Sequence, residues 1–523
     1  MDRILQRAPA LVILVGVAGT LALALPVPEG AFYSGDGGLK YLMARQVASG
    51  GLHADLRIPA DGWVAALWDR GLYPFGPPFV YAMDGARYLS FPLLFPFAAA
   101  PLLAAFGWTG LFVLPLLAVW GAWIAAWALL RRAGAGPGLV AVALAALVLA
   151  TPLTLYAAMF WEHAPAAALA LAGVPAFGPR VGAPRSAAAA FASGVASGVA
   201  LGVAGWLRPE CLVVAAIAAP AGLAVAARTR EWRSPVAACA GLAAVAAGLV
   251  ATNLAIHGLP LGPHALQVVG PEAMWRPGWP RLATNLALLL AAFAPLSIAG
   301  VAALGLLRSS HPAGRLAAFL AAVAVAACLA IPAVVPNSGG TQWGPRYLLA
   351  PIVLLTVAAA LAVHAVRAGP SPPLLRRLCP PVAAGLALLG TIGNAGVGVP
   401  DLADHYADRV RFLDALRADP HRVIAASYHY VPLELASLFD DKAVFTVLDE
   451  AGFRALAAGL HERGIDGYLF LSYAEGGSAG AAGTGETRRT SDLDDLVVDC
   501  TRGPPIGPEW VSWDCRIASA GQR

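Results

Sequence analysis

Ahead of residue 400, four short stretches carry charged side chains with a spacing that suits chemistry. Residues 32–41 (FYSGDGGLKY) hold Asp36 and Lys40, with glycines on both sides of the acid freeing the backbone to turn and expose it. A carboxylate presented in that way takes a proton from an incoming hydroxyl or orients it. The plainer alternative is that Asp36 caps a helix over LKYLMARQVAS, and the two roles are compatible. In Trp161-Glu162-His163 a carboxylate beside an imidazole accepts a proton, holds a cation or binds sugar hydroxyls; otherwise it is a loop pair anchored by an interfacial tryptophan. Arg208-Pro209-Glu210 offers a guanidinium that clamps a phosphate bidentately, or merely a local ion pair. In residues 339–347 (GGTQWGPRY), Arg346 heads the following apolar run, where a positive charge opposes the helix dipole and invites an anionic partner. Snorkelling to lipid head groups is the alternative there. Gln342, Trp343 and Tyr347 flank it as binding candidates, and Trp161 and Trp343 suit either a sugar face or interfacial anchoring.

The elements that must position these groups are membrane helices. Of 523 residues, 59% are hydrophobic and 13% charged, and the mean hydropathy is +0.68, which excludes an ordinary water-soluble globule. The net charge is +4 and only Lys40 and Lys442 are lysines, so no nucleic-acid surface or polybasic tail is indicated. A span needs about 20 apolar residues. Runs near 9–27, 109–131, 138–157, 163–178, 188–206, 211–228, 235–256, 283–307, 314–335, 347–367 and 379–398 meet that requirement, about eleven spans in all. Residues 91–107, with two internal prolines, read as a helix in the interface or re-entering it.

One alternation of sides gathers Arg3, Arg7, Arg131, Arg132, Arg180, Arg185, Arg228, Arg230, Arg233, Arg308, Arg315, Arg367, Arg376 and Arg377 on one face with only Asp2 and Glu231 as acids, which makes that face cytoplasmic. The N-terminus then lies inside. The other face carries the loop 28–90, the loop 257–282, the tail after residue 400 and all four charged stretches. Residues 1–27 as a cleaved signal peptide is the alternative, with Arg3 and Arg7 as its basic region.

Acidic residues crowd the last part of the chain, 20 of 31 falling after residue 399. The expected division is therefore a membrane domain, 1–399, that includes the outer loop 28–90, and a small soluble α/β domain, 400–523. Its runs RVIAAS, VPLELASLF, AVFTVL, EAGFRALAAGLHERG and GYLFLS alternate strand and helix, a Gly/Ala/Ser/Thr loop follows at 476–487, and DLVVDC and WDCRIA read as edge strands. Cys500 and Cys515 lie in this tail, outside the cytoplasm by the charge rule, and are expected to form a disulfide. Cys211, Cys239, Cys328 and Cys379 sit in apolar stretches, and no cysteine or histidine spacing suggests zinc. The tail has no phosphate loop and no nucleophile elbow.

The order of elements resembles the GT-C glycosyltransferases, close in pattern to the aminoarabinose lipid A transferases and protein O-mannosyltransferases. GDGGLKYLMARQ, YLSFPLLFPFAAAPLLAAFG, TPLTLYAAMFWEH, GWLRPE and GGTQWGPRYLLAP are similar to blocks in bacterial enzymes of that kind, and the resemblance covers roughly residues 9 to 370. It implies an all-α polytopic fold with an extracytoplasmic C-terminal domain, seated in a bacterial inner membrane. Asp36 matches the first-loop acid that serves as base or orients the acceptor, and Glu162 the second acid near the outer end of the third span. Gly37 follows Asp36 where the family commonly has a second acid, which argues against a metal site on adjacent acids there. No WWDYG-type signature occurs, which disfavours peptide glycosylation.

The expected activity is transfer of a sugar from a polyprenyl-phosphate donor to a lipid, glycan or protein hydroxyl, with Asp36, Glu162 and His163 catalytic and Lys40, Trp161, Arg208, Glu210, Gln342, Trp343, Arg346 and Tyr347 binding substrate. The cofactor stays open: Glu162 and His163 would orient the sugar or a divalent cation. The rivals are a lipid-linked glycan transporter or flippase, a surface polysaccharide polymerase or ligase, and a non-catalytic scaffold displaying the tail. A transporter would place its charges near the midplane and tends to show internal repeats, and none is evident here.

Overall fold

Apolar runs of sufficient length become helices because a bilayer leaves backbone amides no partner outside the segment. The computed structural model describes residues 2–182, 186–269, 279–335, 340–473, 488–493, 495–506 and 510–519. The loop expected at 476–487, together with Arg185 and Gly339, lies outside them. The chain divides into two units, Met1–Val27 with Pro92–Leu402, and Pro28–Phe91 with Ala403–Arg523. The loop assigned above to the membrane domain thus groups with the tail.

In the first unit, eight helices among the described residues are long and apolar enough to cross a membrane. This is a multi-pass membrane protein. Two of the remaining expected spans are bent pairs rather than single helices. Pro137–Leu149 and Pro152–Ala158 meet at 54°, and Ala283–Phe293 and Leu296–Leu306 at 114°. The breaks fall beside Pro152 and Pro295, where a backbone N–H is missing and the ring clashes with the preceding turn. The run expected at 163–178 is a shorter apolar helix, His163–Phe177. Leu94–Phe106 ends at Gly107 (φ +60°), after which the chain folds back so closely that a Cβ on Gly110 would lie 2.0 Å from the Leu102 carbonyl oxygen.

Leu349–Ala368 is the central helix, buried over nearly its whole length and packed against His163–Gly173, Leu296–Ala302 and Pro312–Val334. Ala187–Leu207 and Arg233–His257 approach through small residues; a Cβ on Gly198 would lie 1.9 Å from the Ala238 carbonyl oxygen.

The second unit is built on a six-stranded sheet. A hairpin in the first loop supplies β1 (Val80–Met83) and β2 (Ala86–Leu89), joined by Asp84-Gly85, both at positive φ as a tight two-residue turn requires. The tail supplies β3 (Val423–Ala426), β4 (Ala443–Thr446), β5 (Gly467–Tyr473), β6 (Arg488–Leu493), β7 (Leu496–Ile506) and β8 (Trp510–Ser519) in the order β4-β3-β5-β8-β7-β6. β3 runs parallel to β4 and β5, with the helix Glu450–His461 between β4 and β5, and β8 turns the sheet antiparallel. Cys500 and Cys515 face each other across β7 and β8 and are disulfide-bonded.

Loop and tail are laced together by buried hydrogen bonds. Trp68 Nε1 donates to the Val444 carbonyl at 3.0 Å, and Thr446 Oγ1 to the Pro74 carbonyl at 2.7 Å. The helix Gly35–Ala48 packs on the helix Tyr430–Glu434 so closely that a Cβ on Gly38 would lie 1.9 Å from the Leu433 carbonyl oxygen. The glycines around Asp36 therefore serve close approach rather than backbone turning: all are helical, and none has positive φ.

Candidate active site

In the first unit, three segments converge on one buried ionic cluster. Glu162 precedes the helix His163–Gly173, Arg208 terminates Ala187–Leu207, and Glu210 opens Glu210–Thr229. Arg208 Nη1 donates to Glu162 Oε1 at 2.8 Å and its Nε to Glu210 Oε1 at 2.8 Å. Glu162 is 1% exposed and Arg208 5%, so these charges depend on one another for solvation. The Arg208-Pro209-Glu210 sequence forms its local ion pair, but the same guanidinium also takes the second acid from 46 residues away.

Tyr347 joins this cluster to the second arginine. The Arg208 guanidinium lies 5.5 Å from the Tyr347 ring centre and that of Arg346 5.3 Å; Arg346 also lies 5.3 Å from the Trp161 ring. Both arginines thus lie against aromatic faces, and Arg208 is paired with two carboxylates as well. Arg346 stands at the head of the central helix, in the turn Arg346–Leu348 that leads into it. His163 packs 5.2 Å from Trp161 and 5.9 Å from Tyr156. Two glutamates and two arginines balance in charge here, beside an aromatic wall of Tyr156, Trp161, His163 and Tyr347.

Trp343 has a positioning role. Its indole Nε1 donates to Asn394 Oδ1 at 3.0 Å, its ring meets Phe293 nearly edge-on, and its carbonyl accepts from the Tyr156 hydroxyl at 3.0 Å. Asn394 in turn donates to the carbonyls of Phe293 and Gly390 from a π-helical segment, Ile392–Gly398. Gln342 is half-buried in the same loop. Tyr156 and Asn394 escaped the sequence reading, although a polar side chain inside an apolar run is the signal that would have found them.

Asp36 and Lys40 belong to the second unit. Ser34, with extended backbone, occupies the N-cap position of Gly35–Ala48, and Asp36 lies inside the first turn, which corrects the reading of Asp36 as the cap. Lys40 follows one turn later, 1% exposed, with Nζ 4.6 Å from the Phe91 ring centre. Arg409 and Glu434, also buried, form an ion pair nearby in the same unit, and His405 Nε2 bonds the Tyr33 carbonyl at 2.7 Å.

No group of three His, Cys, Asp or Glu side chains among the described residues is arranged to hold a metal ion. Between Glu162 and Glu210 the cation is the Arg208 guanidinium itself.

No protein-family model and no curated protein matches the chain. Among solved structures, it is similar to ArnT from Cupriavidus metallidurans bound to undecaprenyl phosphate, with a TM-score of 0.55 and 12% identity over 96% of this chain and 97% of that one. The apo form of the same protein gives a TM-score of 0.52 and 14% identity over 97% of each chain. The chain has the ArnT fold. The likeness covers nearly the whole chain, from the helical unit through the C-terminal sheet.

Proposed function

We propose that the chain is a membrane glycosyltransferase that moves a sugar from a polyprenyl-phosphate donor to a hydroxyl of a lipid, glycan or protein on the extracytoplasmic face of a bacterial inner membrane. The observation that carries this reading is the buried Glu162–Arg208–Glu210 cluster beside Arg346, at the head of the central helix of an ArnT-like fold. Support for the orientation comes from the one-sided arginines, which put the N-terminus in the cytoplasm.

Chemically, the acceptor oxygen attacks the anomeric carbon as the bond from that carbon to the phosphate oxygen breaks. The electron pair leaves on the phosphate, and the hydroxyl proton passes to a carboxylate, assigned to Asp36. Arg346, backed by the Trp161 and Tyr347 rings, takes the departing phosphate charge. Both acids already use Arg208, so Arg208 fixes the Glu162 carboxylate to receive sugar hydroxyls, and His163 holds the aromatic wall.

The test is transfer of radiolabel from polyprenyl-phosphate sugars to membrane acceptors by the purified protein. Wild type should transfer, while Asp36→Asn and Arg346→Gln should each lose about a hundredfold or more. No transfer with any donor from folded protein, combined with lipid-linked sugar crossing proteoliposome bilayers, would favour the flippase reading.

A further inference from the structure

At the other end of the helices that carry Arg208 and Glu210, two neighbouring cavities of about 150 and 270 Å3 open among arginines. On Ala187–Leu207 their lining residues are Ala190, Ser193 and Ser197, which puts them roughly 17–27 Å from Arg208 along that helix. The smaller is lined by Arg132 and Arg180 with Ser193, Ser197 and Ser234; the larger by Arg180, Arg230 and Arg233, and the two share Gly178, Arg180 and Ser234. Four guanidiniums therefore converge from three separate segments, with Glu231 as the one acid in either lining. Among the described residues none of the four forms an ion pair with an acid, unlike Arg208, which is paired with both Glu162 and Glu210.

Two further observations point to a ligand and to its kind. Arg230 ends the helix Glu210–Thr229 with φ +61°, a conformation helix ends normally assign to glycine. An arginine in that strained position argues that its side chain is wanted there. Second, the rim is greasy: Phe191 is 55% exposed, Trp232 45% and Val236 47%, each adjacent to or within the cavity lining. Basic pockets between membrane helices take phosphate head groups, and an apolar rim provides for the chains attached to them. We propose that this pair of cavities binds the phosphodiester head group of an anionic membrane lipid, at a site separate from the glutamate cluster.

Native mass spectrometry of the full-length protein, titrated with phosphatidylglycerol, phosphatidylcholine or inorganic phosphate, tests this. Phosphatidylglycerol should bind wild type well above phosphatidylcholine. At about fivefold per arginine, Arg180→Gln/Arg233→Gln should weaken it about 25-fold, while Arg308→Gln/Arg377→Gln, which removes the same charge elsewhere, should not. All four side chains are exposed, so folding is not at stake. Arg230→Gly should raise the unfolding temperature while weakening the lipid. Equal losses in both double variants would mean diffuse attraction and overturn the proposal; so would inorganic phosphate competing as well as the lipid, which would mark a soluble-anion site. A photoactivatable phosphatidylglycerol that labelled no peptide containing Arg180 or Arg233 would overturn it as well.

Discussion

Arg208 is one cation shared by two buried anions, and this sets the sign of every substitution around it. Arg208→Met alone strands Glu162 and Glu210 and should cost about 3–5 kcal/mol, read as a lower unfolding temperature in detergent. Glu162→Gln/Arg208→Met/Glu210→Gln removes all three charges together and should recover most of that loss. If the triple variant were as unstable as the single one, the cluster would not be the source of the cost. Asp36, Glu162, Arg208 and Arg346 were legible from sequence because charge is rare in an apolar chain. That Arg208 reaches Glu162 was not, since helix packing alone brings together residues so far apart in the chain. Tyr156 and Asn394 were passed over because neutral polar groups stand out less than charges, although they hold Trp343 in place.

The elements were legible where period and length agree and obscured where proline intervenes. Long apolar runs such as Pro312–Val334 and Leu349–Ala368 came through as helices near their expected bounds. The runs at 138–157 and 283–307 break at Pro152 and Pro295, a local rule that hydropathy averaging smooths over. β6 went unrecognised because RRTSDL lacks alternating apolar residues; its pairing with β7, including the Arg488–Asp499 ion pair, supplies the order instead. The GDGG run was legible as special but for the wrong reason. Its glycines admit the Tyr430–Glu434 helix, so Gly38→Ala should lose about 1–3 kcal/mol or more of stability, as measured by hydrogen exchange in both segments. Gly62→Ala, with open space around the new methyl, should be close to neutral. Equal effects of the two would refute the packing account.

For the molecule as a whole, the charge distribution changes near residue 400, while no local pattern in 28–91 announces that this loop groups with 403–523. The Cys500–Cys515 bond closes a 15-residue separation within β7 and β8. Cys500→Ser/Cys515→Ser should therefore lower the stability of the second unit by about 3 kcal/mol. Hydrogen exchange should quicken in β7 and β8 and stay unchanged in Ala187–Leu207; a uniform change would contradict the division into two units. The discontinuous second unit also has a timetable. Translation delivers residues 28–91 first, and at about 5–20 residues per second the intervening 92–402 occupy the ribosome for on the order of 15–60 s. Through that interval Gly38 has no Leu433 to meet and Trp68 no Val444, so the nascent loop is half a domain awaiting its other half, open to proteases and holdases until the last strands emerge.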